Sequence, residues 1–148
     1  MLGLYFRGKK FDDAVGGSSM PDMDADKKQS TLLVLFLPSA DRYGESLGKR
    51  EQKRWVRKAL KVLGAKMGGA TAFPRGLGVW RDDARGGELV WDKPVLIQCY
   101  TTEETLEEEA AALREYLVEM GTETRQGAVG FVIDRDYYEI QFPLEGAP

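Results

Sequence analysis

Thr31–Leu37, TLLVLFL, is an unbroken apolar run that stops at Pro38. A strand without polar alternation is a central strand, covered on both faces. The rest of the chain must therefore supply two layers of cover. Lys49 to Met67 supplies part of the first, because Trp55, Val56, Ala59, Leu60, Leu63 and Met67 recur at helical spacing. Gly68-Gly69 stops this helix, and Ser46 is its candidate cap. Glu103 to Met120 is a second helix with Leu106, Ala110, Leu113, Leu117 and Met120 on its apolar stripe. Thr102 is its expected cap and Gly121 its expected end.

Between and after the helices the pattern turns to strands. Thr71 to Trp80 and Glu88 to Tyr100 flank the turn sequence RDDARGG, with Pro74 and Pro94 marking bends or edges. Val95 to Cys99 is the better buried half of the second strand. Ala128 to Ile133 and Tyr137 to Phe142 form a closing hairpin around Asp134-Arg135-Asp136. The order β-α-β-β-α-β-β predicts an α+β ferredoxin-like sandwich, two helices on one face of a mainly antiparallel sheet. The opposite sheet face is expected to be covered by the N-terminal arm or by another subunit. A homodimer, or another homo-oligomer, is the expectation.

Residues 1–30 read as a flexible N-terminal tail or arm, and residues 31–148 as a single domain. Met20 and Met23 are alternative starts, so residues 1–19 are open to exclusion from the native protein. No apolar run approaches the ~20 residues of a membrane span, and a soluble, cytoplasmic protein without membrane contact is expected.

The composition removes whole classes of chemistry. The chain has no histidine. Ser-His-Asp and Cys-His catalysis and histidine general bases are therefore excluded. A single cysteine, Cys99, permits no internal disulfide and no cysteine-based zinc site; it lies in an apolar strand and reads as inert core. The net charge of −3 argues against a protein built wholly around nucleic acid, although a local basic patch remains open. Helix 49–67 has eight Lys/Arg against Glu51, and helix 103–120 has seven Glu against Arg114. Side-by-side neutralisation is the main expectation, with nucleic acid or an acidic protein on the basic helix as the sharper one.

The Gly68–Tyr100 stretch holds the candidate site. It lacks GxGxxG and GxxxxGK[ST], and Gly76-Leu77-Gly78 has no following helix, so glycines serving turns and close strand approach are expected ahead of a phosphate loop. Arg75, Trp80, Arg81, Trp91 and Gln126 are candidate ligand-binding residues, suited to a small anionic ligand or a stacked ring. Tyr100, Tyr137, Tyr138 and Glu139 are candidates for the border of the same region. Against this stands a cross-strand pair of Trp80 with Trp91. Asp82, Asp83 and Glu88, with Asp92 nearby, are candidate carboxylates for Mg²⁺ or Mn²⁺, against the reading of an ordinary solvated turn.

Gly68, Gly69, Thr71, Gly78, Trp80 and Gln126 form a pattern that resembles a group of small uncharacterised bacterial proteins. The resemblance covers about half of the chain, from Gly68 onward. It implies a ferredoxin-like fold and carries no activity. The functional expectation is a non-catalytic domain that binds a ligand or a protein partner, without a cofactor. The alternatives are a metal-dependent phosphodiesterase or nuclease using the hairpin carboxylates, and an accessory subunit of a larger complex.

Overall fold

A computed structural model describes residues 28–146. The expectations for residues 1–27 lie outside the described residues. The elements run β1 (Thr31–Leu37), α1 (Lys49–Met67), β2 (Thr71–Ala72), β3 (Gly78–Asp82), β4 (Glu88–Asp92), β5 (Val95–Thr101), α2 (Glu103–Glu123), β6 (Ala128–Ile133) and β7 (Asp136–Gln141).

The main sheet has the order β2-β5-β1-β6-β7, and every pairing in it is antiparallel. This is the ferredoxin-like arrangement with β7 added at one edge. β1 is central, as its unbroken apolar sequence requires. It pairs with β5 along its whole length, Thr31 opposite Thr101 through Leu37 opposite Val95. Leu33, Leu35 and Leu37 are fully buried against the helices, together with Ile97, Leu63, Leu106, Leu117 and Met120. At the helix seam, Tyr116 Oη donates to the Trp55 carbonyl at 2.9 Å, and the two rings pack at 6.2 Å.

The opposite helix charges meet within the chain. Arg54 pairs with Glu123 at 3.6 Å, Lys58 with Glu119 at 2.6 Å and Lys66 with Glu109 at 3.5 Å. All three pairs are at least partly solvated, so each contributes at most about 1 kcal/mol. Lys49, Lys53, Arg57 and Lys61 lie on the exposed remainder of α1.

Several local expectations need correction. The two long strands predicted from Gly68 onward each divide near their prolines. Thr71 to Trp80 becomes β2 and β3, and Glu88 to Tyr100 becomes β4 and β5. Pro74 and Pro94 cannot donate to a ladder, so the chain leaves the main sheet and returns. β3 and β4 form a separate two-stranded ribbon. Ser46 is not the cap of α1: Gly48 occupies that position without a side-chain cap. Gly121 does not end α2; it is buried inside it, and the helix continues to Glu123. Thr102 does cap α2, accepting from the Thr105 N–H at 3.1 Å. The closing turn is Asp134-Arg135, with Asp136 already in β7.

Candidate active-site cleft

The sequence candidates do not converge. Arg75 points to α1, where its Nε donates to Gln52 Oε1 at 2.6 Å. Gln126 donates through Nε2 to the carbonyls of Ala40 and Thr124, at 2.8 and 3.1 Å, and so ties loop to loop. Trp80 and Trp91 are not cross-strand partners. Trp80 stands opposite Val90 and Trp91 opposite Val79, on opposite ribbon faces by the two-residue alternation of strands. Arg81 is held by Asp83 at 2.5 Å.

The proposed metal ligands are engaged as a turn. Asp82 accepts from the Ala84 N–H at 3.1 Å and pairs with Arg85 at 3.5 Å, while Asp83 is occupied by Arg81. Glu88 is exposed on the strand opposite Asp82. Among the described residues no group of three or more His, Cys, Asp or Glu is placed to hold a metal ion. Asp92 serves the fold: its Oδ1 accepts from the Ser39 hydroxyl and, at 3.0 and 2.8 Å, from the N–H groups of Ser39 and Lys93.

Buried Gln52 is the centre of a polar network at the ribbon root. Its Nε2 donates to the Leu37 and Lys93 carbonyls at 3.3 and 3.0 Å while its Oε1 accepts from Arg75. Gln52→Leu leaves two carbonyls and a guanidinium without their partner. It is expected to lower stability by roughly 1–3 kcal/mol, read as a lower urea midpoint; an unchanged midpoint contradicts the network's role.

Asp41 organises the 39–47 loop. Its nearly buried carboxylate accepts from the Tyr43 and Glu45 N–H groups at 2.8 and 3.0 Å and from Arg125 Nε at 3.3 Å. Burial pushes the carboxyl pKa up, but these donors and the Arg125 charge more than reverse that, and it lies below its ordinary 3.8. A depressed folded-state pKa contributes stability that is full above the unfolded value and is lost as pH falls through the folded one. The urea midpoint of the wild type is therefore expected to fall as pH drops below 3.8. Asp41→Asn should be less stable at neutral pH and show a shallower decline there; an identical acid limb for both proteins contradicts this.

A cavity of about 530 Å³ opens elsewhere, where the C-terminus of α1 meets the β2–β5 edge of the sheet. Its lining includes Phe73, Gln98, Tyr100, Thr71, Gln29 and Cys99. Gly68, in left-handed conformation, caps α1 and turns the chain toward β2. Beyond β2 the Phe73 N–H donates to the Leu96 carbonyl at 2.9 Å, which holds Phe73 beside β5. Gln98 and Tyr100 alternate with buried Ile97 and Cys99 along β5, and so stand on the sheet face away from the helices. Phe73 and Tyr100 are 47% and 52% exposed.

No Asp, Glu, Lys or Arg is among the described residues lining this cavity. Burial pushes the Cys99 thiol up, so it stays protonated and is no nucleophile. What the cleft offers is aromatic surface, two amides, two hydroxyls and backbone. Its volume falls within the range of small-molecule sites. Of these residues the sequence offered only Tyr100 as bordering a binding region; Gly68, Gly69 and Thr71 entered through the resemblance alone. Gln98 carried a weak signal, a polar side chain at an alternate position of an apolar strand. Phe73 was masked by its place before Pro74.

The fold defines the protein's class first: an α+β ferredoxin-like sandwich. No family model matches the chain, and no curated protein matches it. Among solved structures, a phage SAM lyase in complex with S-methyl-5′-thioadenosine is similar, with a TM-score of 0.59 and 16% sequence identity, covering 79% of this chain and 95% of that one. A phage SAM lyase in the apo state is similar with a TM-score of 0.56 and 17% identity, covering 82% of this chain and 96% of that one. At this identity the likeness shows the fold. The neighbours are an enzyme, which overturns the expectation of a non-catalytic binding domain. A SAM lyase is not a metal-dependent phosphodiesterase or nuclease either, so the hairpin-carboxylate alternative falls as well. Among the described residues no helix is long and apolar enough to cross a membrane.

Proposed function

We propose that this chain binds S-adenosylmethionine (SAM) in the Phe73–Tyr100 cleft and splits it without hydrolysis, releasing S-methyl-5′-thioadenosine. The observation that carries the reading is the match of nearly the whole phage SAM lyase to this chain, joined to an aromatic, uncharged cleft on the same fold. The chemistry suits a protein without histidine. The sulfonium is already an activated leaving group. When the bond between sulfur and the γ-carbon of the amino-acid portion breaks, its electron pair goes to sulfur and leaves a neutral thioether. The substrate's own carboxylate oxygen forms the new bond to that carbon and closes a five-membered lactone. No proton need be removed, so no protein base is required.

The protein's part is then binding and conformation. Phe73 and Tyr100 present ring faces on which adenine stacks or beside which the sulfonium cation rests. Gln98 and Thr71 supply hydrogen-bonding groups for the nucleoside edge. A folded substrate that brings carboxylate and γ-carbon together gains rate through proximity alone.

Calorimetric titration with S-methyl-5′-thioadenosine tests the site directly. Saturable binding at one molecule per chain is expected, weakened by Phe73→Ala. Absence of saturable binding to the wild type contradicts the assignment.

A further inference from the structure

Along β5, buried residues alternate with Leu96, Gln98 and Tyr100, so Gln98 is the middle residue of the row that faces away from the helices. Thr71 stands directly opposite it on β2. The Phe73 N–H bond to the Leu96 carbonyl continues that register, which sets Phe73 across from Leu96 and on the same face. The two rings of the cleft therefore flank Gln98, each two residues, or about 6.6 Å, away along the strand direction. A base stacked on either ring carries its edge over the Gln98 carboxamide.

The carboxamides of Gln52, Gln126 and Gln141 are taken up by carbonyls or a carboxylate. That of Gln98 is half-buried and hydrogen-bonds to no described residue. A half-buried polar group without a partner costs free energy, and a ligand edge that fills it recovers that cost. A carboxamide presents one acceptor beside one donor. The N6/N7 edge of adenine presents a donor beside an acceptor, and the two join through a pair of hydrogen bonds. A 6-oxopurine has two acceptors on that edge, O6 and N7, so the amide carbonyl would meet a lone pair. The rings cannot make this distinction, because every base has a π-face.

We infer that Gln98 makes the cleft selective for adenine, its carboxamide pairing with the N6/N7 edge of a base stacked on one of the flanking rings. The inference rests on the lyase reading for the nucleoside and goes beyond it in naming the edge that is read and the residue that reads it.

Calorimetric titration of the full chain with S-methyl-5′-thioadenosine and with S-methyl-5′-thioinosine, its 6-oxo counterpart, tests it. The wild type is expected to bind the adenine form roughly fivefold to a hundredfold more tightly, the value of one bidentate pair. Gln98→Met keeps the length of the side chain and loses the amide. It should weaken the adenine form by about that factor and leave the oxo form little changed, so the preference disappears. Phe73→Ala, which removes a ring and spares the amide, should lower both affinities and keep their ratio. Equal affinities in the wild type, or a preference that survives Gln98→Met, overturn the assignment, while the bound thioadenosine leaves the lyase reading standing. A wild type that binds neither ligand overturns both.

Discussion

Gly121→Leu is expected to destabilise the protein by roughly 1–3 kcal/mol, at the upper end of the overpacking range. Gly121 is buried in the last turns of α2, where a β-carbon would collide with the Phe142 ring and the Val129 side chain. Both belong to the layer under the helix: Val129 is core and Phe142 packs against it. Neither can move without opening a gap elsewhere in a close-packed interior. Gly64 in α1 gives the contrast, since a β-carbon there meets nothing within 4 Å. Gly64→Ala should raise stability by about 0.5–1 kcal/mol, the helix-propensity difference. Urea unfolding of the two variants decides the point. Equal midpoints for Gly121→Leu and wild type contradict the packing described.

That same glycine shows where reading the chain succeeds and where it stops. Thr31–Leu37 announced a central strand because its apolar run is local information. The two helices were legible from their 3.6-residue periodicity, and Gly68 as a helix end from its place after the last apolar position. Gly121 has the same look, a glycine after an apolar stripe, yet Phe142 and Val129 lie across it from distant parts of the chain. Tertiary packing, invisible in the local pattern, decides its role. Pro74 and Pro94 signalled interruption but not that the interrupted halves leave the sheet as a separate ribbon. Consequently Trp80 and Trp91, which looked like a pair, fall on opposite faces.

The candidate site was less legible than the fold for a related reason. Residues rich in chemistry attracted attention: Arg75, Arg81, Asp82, Asp83, Glu88 and Gln126. The structure occupies most of these with caps, ion pairs and loop ties. The cleft is instead made by Phe73, Gln98 and Tyr100, whose meeting depends on β2 pairing with β5 across the long ribbon excursion. A cleft built of rings, amides and backbone leaves a faint trace in composition.

The second large effect concerns those rings. Phe73→Ala and Tyr100→Ala should each lower kcat/KM for SAM by about tenfold to a hundredfold, the value of one lost stacking partner of roughly 1–3 kcal/mol. Both side chains are about half exposed, so stability should change little. Tyr100→Phe keeps the ring face and should retain most activity. That pattern separates a stacking role from proton transfer by the phenol: if Tyr100→Phe is as inactive as Tyr100→Ala, the hydroxyl matters and the ring-face account of Tyr100 is wrong.

The most direct measurement is the initial rate at which purified full-length protein releases S-methyl-5′-thioadenosine from SAM, followed chromatographically beside a protein-free control for spontaneous breakdown. The account predicts release well above that control, one molecule of thioether for each SAM consumed, and a rate that saturates with SAM. A rate no greater than the control, with protein that is folded, would contradict it.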